Sequence, residues 1–97
     1  LFEIKFTPKA IDNLVAFRKY DQQFLITAIQ QHLSQQPNQE TRNHKRLRPN
    51  ILAEWELRLG AFRVFYDIDQ QNCLVKVEAI GYKQGSTLFL AGEEYTL

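Results

Sequence analysis

Only one of the 97 residues is a cysteine, Cys73. It has no partner for an internal disulfide and cannot build a cysteine metal cluster, which fits a reducing compartment. No run approaches the roughly 20 apolar residues of a membrane helix. The opening LFEIKF lacks the basic-then-apolar layout of a signal peptide, so a cytoplasmic protein with no membrane partner is expected. Methionine is missing even at position 1, which suggests a chain trimmed at its start. Internal repeats, low-complexity tracts and domain linkers are lacking too, so residues 1–97 are expected to form a single domain. The formal net charge is only +1, which by itself argues for no polyanionic partner.

What is present is the composition of an ordinary folded protein, 44% hydrophobic and 24% charged with twelve aromatics. Phe2, Ile4 and Phe6 alternate with Glu3 and Lys5, the period of a half-buried strand. Thr7 can cap a helix with Pro8 at its first position. Ile11, Leu14, Val15 and Arg18 follow at helical spacing, predicting a helix from residue 8 to about 20. Asp21 is a candidate second cap, and Phe24, Leu25, Ala28, Ile29, His32 and Leu33 form the next stripe, up to Pro37. His32 is expected to pack half-buried. Residues 35–50 read as a polar loop between Pro37 and Pro49. CLVKVEAIGYK is a further strand whose core-facing side the alternation does not settle, and LFLAGEEYTL reads equally as an edge strand or a helical turn. The order predicts an α+β fold: an N-terminal strand, a two-helix hairpin, then an antiparallel β-sheet covered by the helices on one face.

The charge is unevenly placed. Residues 1–36 hold four basic and three acidic side chains, residues 37–66 six and three, and residues 67–97 two and five. RNHKRLR concentrates Arg42, Lys45, Arg46 and Arg48 around His44, a run that can attract phosphates or form a solvated loop. Leu47 interrupts it and is expected to be a buried anchor.

EWELRLGAFRVFYDID folds into a hairpin about Gly60-Ala61. A two-residue loop with Gly first sets Leu59 against Phe62, Leu57 against Val64 and Trp55 against Tyr66. The opposite face then carries Arg58 directly across from Arg63, a like-charge pair that costs roughly 0.2–1 kcal/mol. With the helices on the Trp55 side, the arginines are expected on an open face. There they either form an anion site, for which guanidinium forks are suited, or are neutralised by Glu56 as a structural pair.

LRPNILAEWELRLGAFRVFYDID followed by VEAIGYK resembles the toxins of the RelE/ParE superfamily, and the pattern W-x-L-R-x-G-x-[FY]-R-V-x-[FY] from Trp55 to Tyr66 is its most specific part. The resemblance covers nearly the whole chain in element order. It implies a RelE-like, microbial-ribonuclease-type fold and the toxin of a type II toxin-antitoxin pair. RelE-like members cut messenger RNA on the ribosome without metal, and ParE-like members poison DNA gyrase.

Carried over from the RelE-type site, the resemblance implies that Arg58 and Arg63 supply catalytic charge and that Lys83 keeps charge where the family has arginine. Glu56 stands where the family has a lysine, and Phe89 stands where it has a tyrosine that stacks on a base. Cleavage by 2′-hydroxyl attack needs a base, charge on the phosphorane-like transition state and an acid. Glu56 is a candidate base, Arg58 and Arg63 the charge, and Lys83 the acid. His44 is an alternative base by its ordinary pKa, although a solvated loop histidine is the plainer reading. Arg42, Lys45, Arg46 and Arg48 are expected RNA contacts. The implied partners are a cognate antitoxin, the ribosome and mRNA, and operator DNA reached through the antitoxin. No metal and no cofactor are expected. Gyrase inhibition, or a catalytically weak homologue working through antitoxin binding and autorepression, are the alternatives.

Overall fold

The computed structural model describes residues 1–97. The N-terminal alternation produces β1, Glu3–Phe6, with Ile4 and Phe6 turned inward against the main core. Thr7 caps α1, Pro8–Val15, its hydroxyl accepting from Ala10 N at 3.1 Å while donating to Glu78 O. This helix ends earlier than residue 20. Arg18 is extended, and Gln22 Nε2 donates to the carbonyls of Phe17 and Val15 at 2.8 and 3.4 Å, satisfying groups that the helix end exposes. Its packed face is also shifted: Ala10, Asn13 and Leu14 are buried, whereas Ile11 and Val15 are exposed. The second helix, α2, spans Lys19–Leu33 and buries Leu25, Ala28, Ile29 and Leu33. Asp21 is not its cap but lies in its first turn, bonded to Arg18 Nε at 3.1 Å.

The expected loop at 35–50 contains a strand, β2 (His44–Arg46), which pairs antiparallel with β3, Trp55–Leu59. β3 and β4 (Phe62–Asp69) form the hairpin in the expected register, with Trp55 opposite Tyr66, Leu57 opposite Val64 and Arg58 opposite Arg63. Gly60 has φ +61 and Ala61 is not in the left-handed region, the pattern of a type II′ turn. β5 (Leu74–Gln84), β6 (Thr87–Leu90) and β7 (Glu93–Tyr95) complete a sheet of order β2-β3-β4-β5-β6-β7, so the tail is strand rather than helix. β1 departs from the antiparallel expectation: it pairs parallel with residues 74–77 of β5, and β6 pairs with residues 81–84. The two therefore lie end to end along one edge of β5. Between them Asn13, itself buried, accepts from Ile80 N at 3.0 Å, so a helix side chain supplies the bond that no strand makes there.

A bulge settles which side of β5 meets the core. Phe65 faces Ala79 and Tyr66 faces Val77, leaving Glu78 as the extra residue. Val75 and Val77 point into the main core before it and Ile80 after it, so one inserted residue reverses the alternation. The main core lies between the helices and the Trp55, Leu57, Val64 and Tyr66 face. Tyr66 is fully buried and donates its hydroxyl to Pro37 O at 2.8 Å.

The opposite face is not open as expected. Phe65 and Ala79 are covered there by Leu52, Ala53, Leu88 and Leu90, with half-buried Leu47 and Tyr95 alongside, forming a second, smaller core. Asn50 holds the covering loop. Its amide donates to the carbonyls of Arg48 and Ala53 and accepts from the backbone of Leu52 and Ala53, at 2.7–3.1 Å.

Candidate functional site

Strand alternation puts Glu56, Arg58, Arg63 and Lys83 on the face turned away from the helices. Arg58 stands opposite Arg63, Arg63 opposite Gly81, and Lys83 two residues further along β5. Lys83 N donates to Ala61 O at 2.7 Å, tying this end of β5 to the hairpin turn. The three cations thus gather beside the turn, at one end of the second core.

The facing arginines avoid each other by taking different partners. Arg58 Nε donates to Glu56 Oε2 at 2.6 Å. Arg63 Nη1 folds back over the turn and donates to Gly60 O and Phe62 O at 2.7 and 2.9 Å, while its buried Nε has no protein partner. Burial draws the Arg63 pKa below the usual guanidinium value; Glu56 opposes the shift and Arg58 adds to it. Glu56 is only 3% exposed. Its ion pair with Arg58 is the structural neutralisation weighed against an anion site, but it occupies one guanidinium and leaves Arg63 and Lys83 without a carboxylate partner.

Other expected members are placed elsewhere. Phe89 faces Tyr82 and stacks on it with centroids 5.3 Å apart, on the helix side near Phe17, so the sheet separates it from the arginines. Tyr95, opposite Leu88, does share the face of Lys83, and Lys9 Nζ lies 5.9 Å from its ring. The alternation Leu88, Phe89, Leu90 carried the signal, but the register that fixes it is tertiary.

The basic run does not form one patch. Lys45, half-buried, stands opposite Glu56, whereas Arg46 crosses to the other side, over the Trp55 ring at 5.7 Å and 4.0 Å from Glu54. Arg42 and Arg48 are exposed, and Arg46 and Arg48 border a recess of roughly 640 Å³ that ends at Asp67.

His44 is buried, not solvated. Thr41 Oγ1 accepts from the backbone N–H groups of Asn43 and His44, which leaves its hydroxyl proton to donate to His44 Nδ1 at 2.7 Å. His44 Nε2–H then donates to His32 O at 2.9 Å. With both ring nitrogens engaged inside the fold, His44 anchors β2 to α2. His32 packs 5.7 Å away as a half-buried residue, and burial, with His44 adding, lowers its pKa.

At the far end of the same face stand Asp67 and Glu78. Burial, then the hydrogen bond and charge of Asp67, raise the Glu78 carboxyl to about 7, against the pull of Lys76 and Lys9. No group of three histidine, cysteine or acidic side chains is arranged to hold a metal ion, and no helix is long and apolar enough to cross a membrane.

Comparison with known proteins agrees with this architecture. A search of curated protein sequences finds no significant match. Among solved structures, a chain of the RelBE2 toxin-antitoxin complex from Mycobacterium tuberculosis superposes with a TM-score of 0.69 at 22% identity, covering 84% of this chain and 98% of that one. At that identity the likeness establishes the fold. The family model described as the ParE toxin of the type II toxin-antitoxin system parDE matches residues 4–84, from β1 through β5. With the hairpin motif, the helix pair and the central strands β2 to β5 inside that match, the chain belongs to the ParE toxin family, within the RelE/ParE superfamily of type II toxin-antitoxin toxins.

Proposed function

We propose that this toxin inhibits translation as a ribosome-dependent, metal-independent endoribonuclease acting on mRNA, and that a cognate antitoxin neutralises it. The observation that carries this reading is the gathering of Arg58, Arg63 and Lys83 on one sheet face beside the hairpin turn. Such a cluster suits the negative charge that builds on a phosphodiester during 2′-hydroxyl attack. Arg58 and Arg63 orient and neutralise the phosphate, and Lys83 supplies further charge and a proton for the departing 5′-oxygen. The protein's contribution is chiefly electrostatic: Glu56 and His44 are both buried, and the 2′-hydroxyl proton passes to solvent as the new P–O bond forms and the bond to the 5′-oxygen breaks. Exposed Arg42 and Arg48, with Arg46, add salt-sensitive RNA contacts away from the reacting phosphate.

A second reading, gyrase inhibition by protein contact, draws support from the ParE description of the matching family and from the separation of Phe89 from the arginines. Pulse labelling after induction separates the two, together with primer-extension mapping of mRNA ends. The proposal expects protein synthesis to stop first, new 5′ ends to arise within translated frames, and both effects to vanish in Arg63→Gln. Loss of DNA synthesis with intact mRNA would establish the gyrase reading instead.

A further inference from the structure

The face proposed to engage phosphate contains a carboxylate that phosphate binding does not call for. Glu56 stands between Lys45 on β2 and Phe65 on β4, 3% exposed, with Oε2 held by Arg58 Nε at 2.6 Å. A general base has to come within about 3 Å of the proton it takes. A carboxylate buried beneath its own guanidinium partner does not reach the 2′-hydroxyl of a strand lying on the surface.

Its effect on Arg58 is more specific. A guanidinium is a rigid planar fork of five N–H donors, and engaging Nε fixes the plane while leaving the Nη edge free. Here the Glu56 side chain is 4% exposed and that of Arg58 46%, so the inner edge of the fork is buried and the remainder faces solvent. The i, i+2 spacing on β3 puts both side chains on one face, so the strand itself builds the pair. Without the carboxylate, Arg58 would face Arg63 with no partner and swing away from it.

We propose that Glu56 is a positioning residue, which holds Arg58 by Nε so that its Nη edge receives two oxygens of a phosphate group. This inference rests on the reading of the face as phosphate-engaging, and it replaces the role of general base for Glu56. A lysine at position 58 has no fork to be fixed, so Arg58→Lys removes the effect even though it preserves charge.

The test is a titration with inorganic phosphate, followed by NMR on the ¹⁵N-labelled full chain. In the wild type the Arg58 Nε–H signal is expected to exchange slowly and hold its position while the Arg58 Nη signals move. Glu56→Gln is expected to lose the slow exchange and to weaken phosphate binding on the order of tenfold, with growth inhibition falling in parallel. The pH profile of RNA cleavage by Glu56→Gln should keep the wild-type shape at a lower level. Equal phosphate affinity in Glu56→Gln overturns the proposal, as does loss of one limb of the pH profile. So does a wild-type Nε–H that is released when phosphate binds, a result that decides the matter even if Glu56→Gln does not fold. If the phosphate results hold but no RNA is cut, Glu56 keeps its positioning role and the endoribonuclease reading fails.

Discussion

Replacing Glu78 with glutamine tests the bulge and the acidic end of the sheet together. Burial and Asp67 raise the Glu78 carboxyl from 4.5 to about 7 in the folded chain, whereas unfolding returns it to the lower value. The folded state therefore binds the proton more tightly. The resulting stabilisation is complete below 4.5 and is lost as pH rises through about 7. At about 1.36 kcal/mol per tenfold change in proton affinity, the full difference has an upper limit of about 3.4 kcal/mol. Glu78 retains solvent contact and lies near Lys76 and Lys9, so screening reduces the expected loss to about 1 kcal/mol. Glutamine keeps the shape of the side chain but cannot ionise. Thermal unfolding of wild type and Glu78→Gln between pH 4 and 8 should show the wild type losing stability relative to the variant across that window. For a domain of this size the relative shift corresponds to about 4–8 °C in Tm. A constant offset between the proteins at every pH would mean that Glu78 titrates as an ordinary surface carboxyl, and the argument from its burial would fail.

Three further changes probe the frame around the site. A Cβ on Gly81 would lie 2.3 Å from Phe89 O and 2.5 Å from Leu90 Cδ2, so Gly81→Ala should force β6 away from β5 and destabilise by about 2–4 kcal/mol in chemical denaturation. Tyr66→Phe deletes the donor to Pro37 O inside the core and should cost about 1–2 kcal/mol without altering toxicity per folded molecule. Neutralising Arg42, Arg46 and Arg48 together should reduce ribosome affinity and flatten its salt dependence in a binding assay while leaving the mapped cleavage positions unchanged; unaltered affinity would show these residues to be solvated charge only.

The parts of the fold legible in the sequence were those set by local periodicity. Trp55 to Val64 alternates around a glycine suited to its turn, so register, face and the opposition of Arg58 and Arg63 all followed from counting. The β5 face could not be read because Glu78 inserts a residue at a bulge, and a bulge is defined only by the partner strand. His44–Arg46 was hidden because three polar residues carry no alternation; β2 exists through its pairing with β3 and the burial of His44 against α2. The second core escaped for the same reason, since Leu52, Ala53, Leu88 and Leu90 come from a loop and a tail brought together only by the folded sheet. That cover closes part of the expected open face, and with Lys45 opposite Glu56 it turned a candidate surface base into a buried carboxylate. The side of the sheet that Phe89 occupies depends equally on the pairing of Lys83 with Leu88.

The parallel pairing of β1 with β5 has a consequence for biosynthesis. Residues 3–6 are made well before their strand partners, residues 74–77. Until that segment leaves the ribosome, β1 has no neighbour, Thr7 cannot reach Glu78, and Asn13 has no Ile80 amide to accept from. Such distant closure is slow to reward the chain for ordering, so folding is deferred until β5 has been made. A nascent chain that stops short of β5 also lacks Lys83, and its arginine hairpin has no third strand to stand against. The chain therefore acquires its cationic face only once β5 has been synthesised.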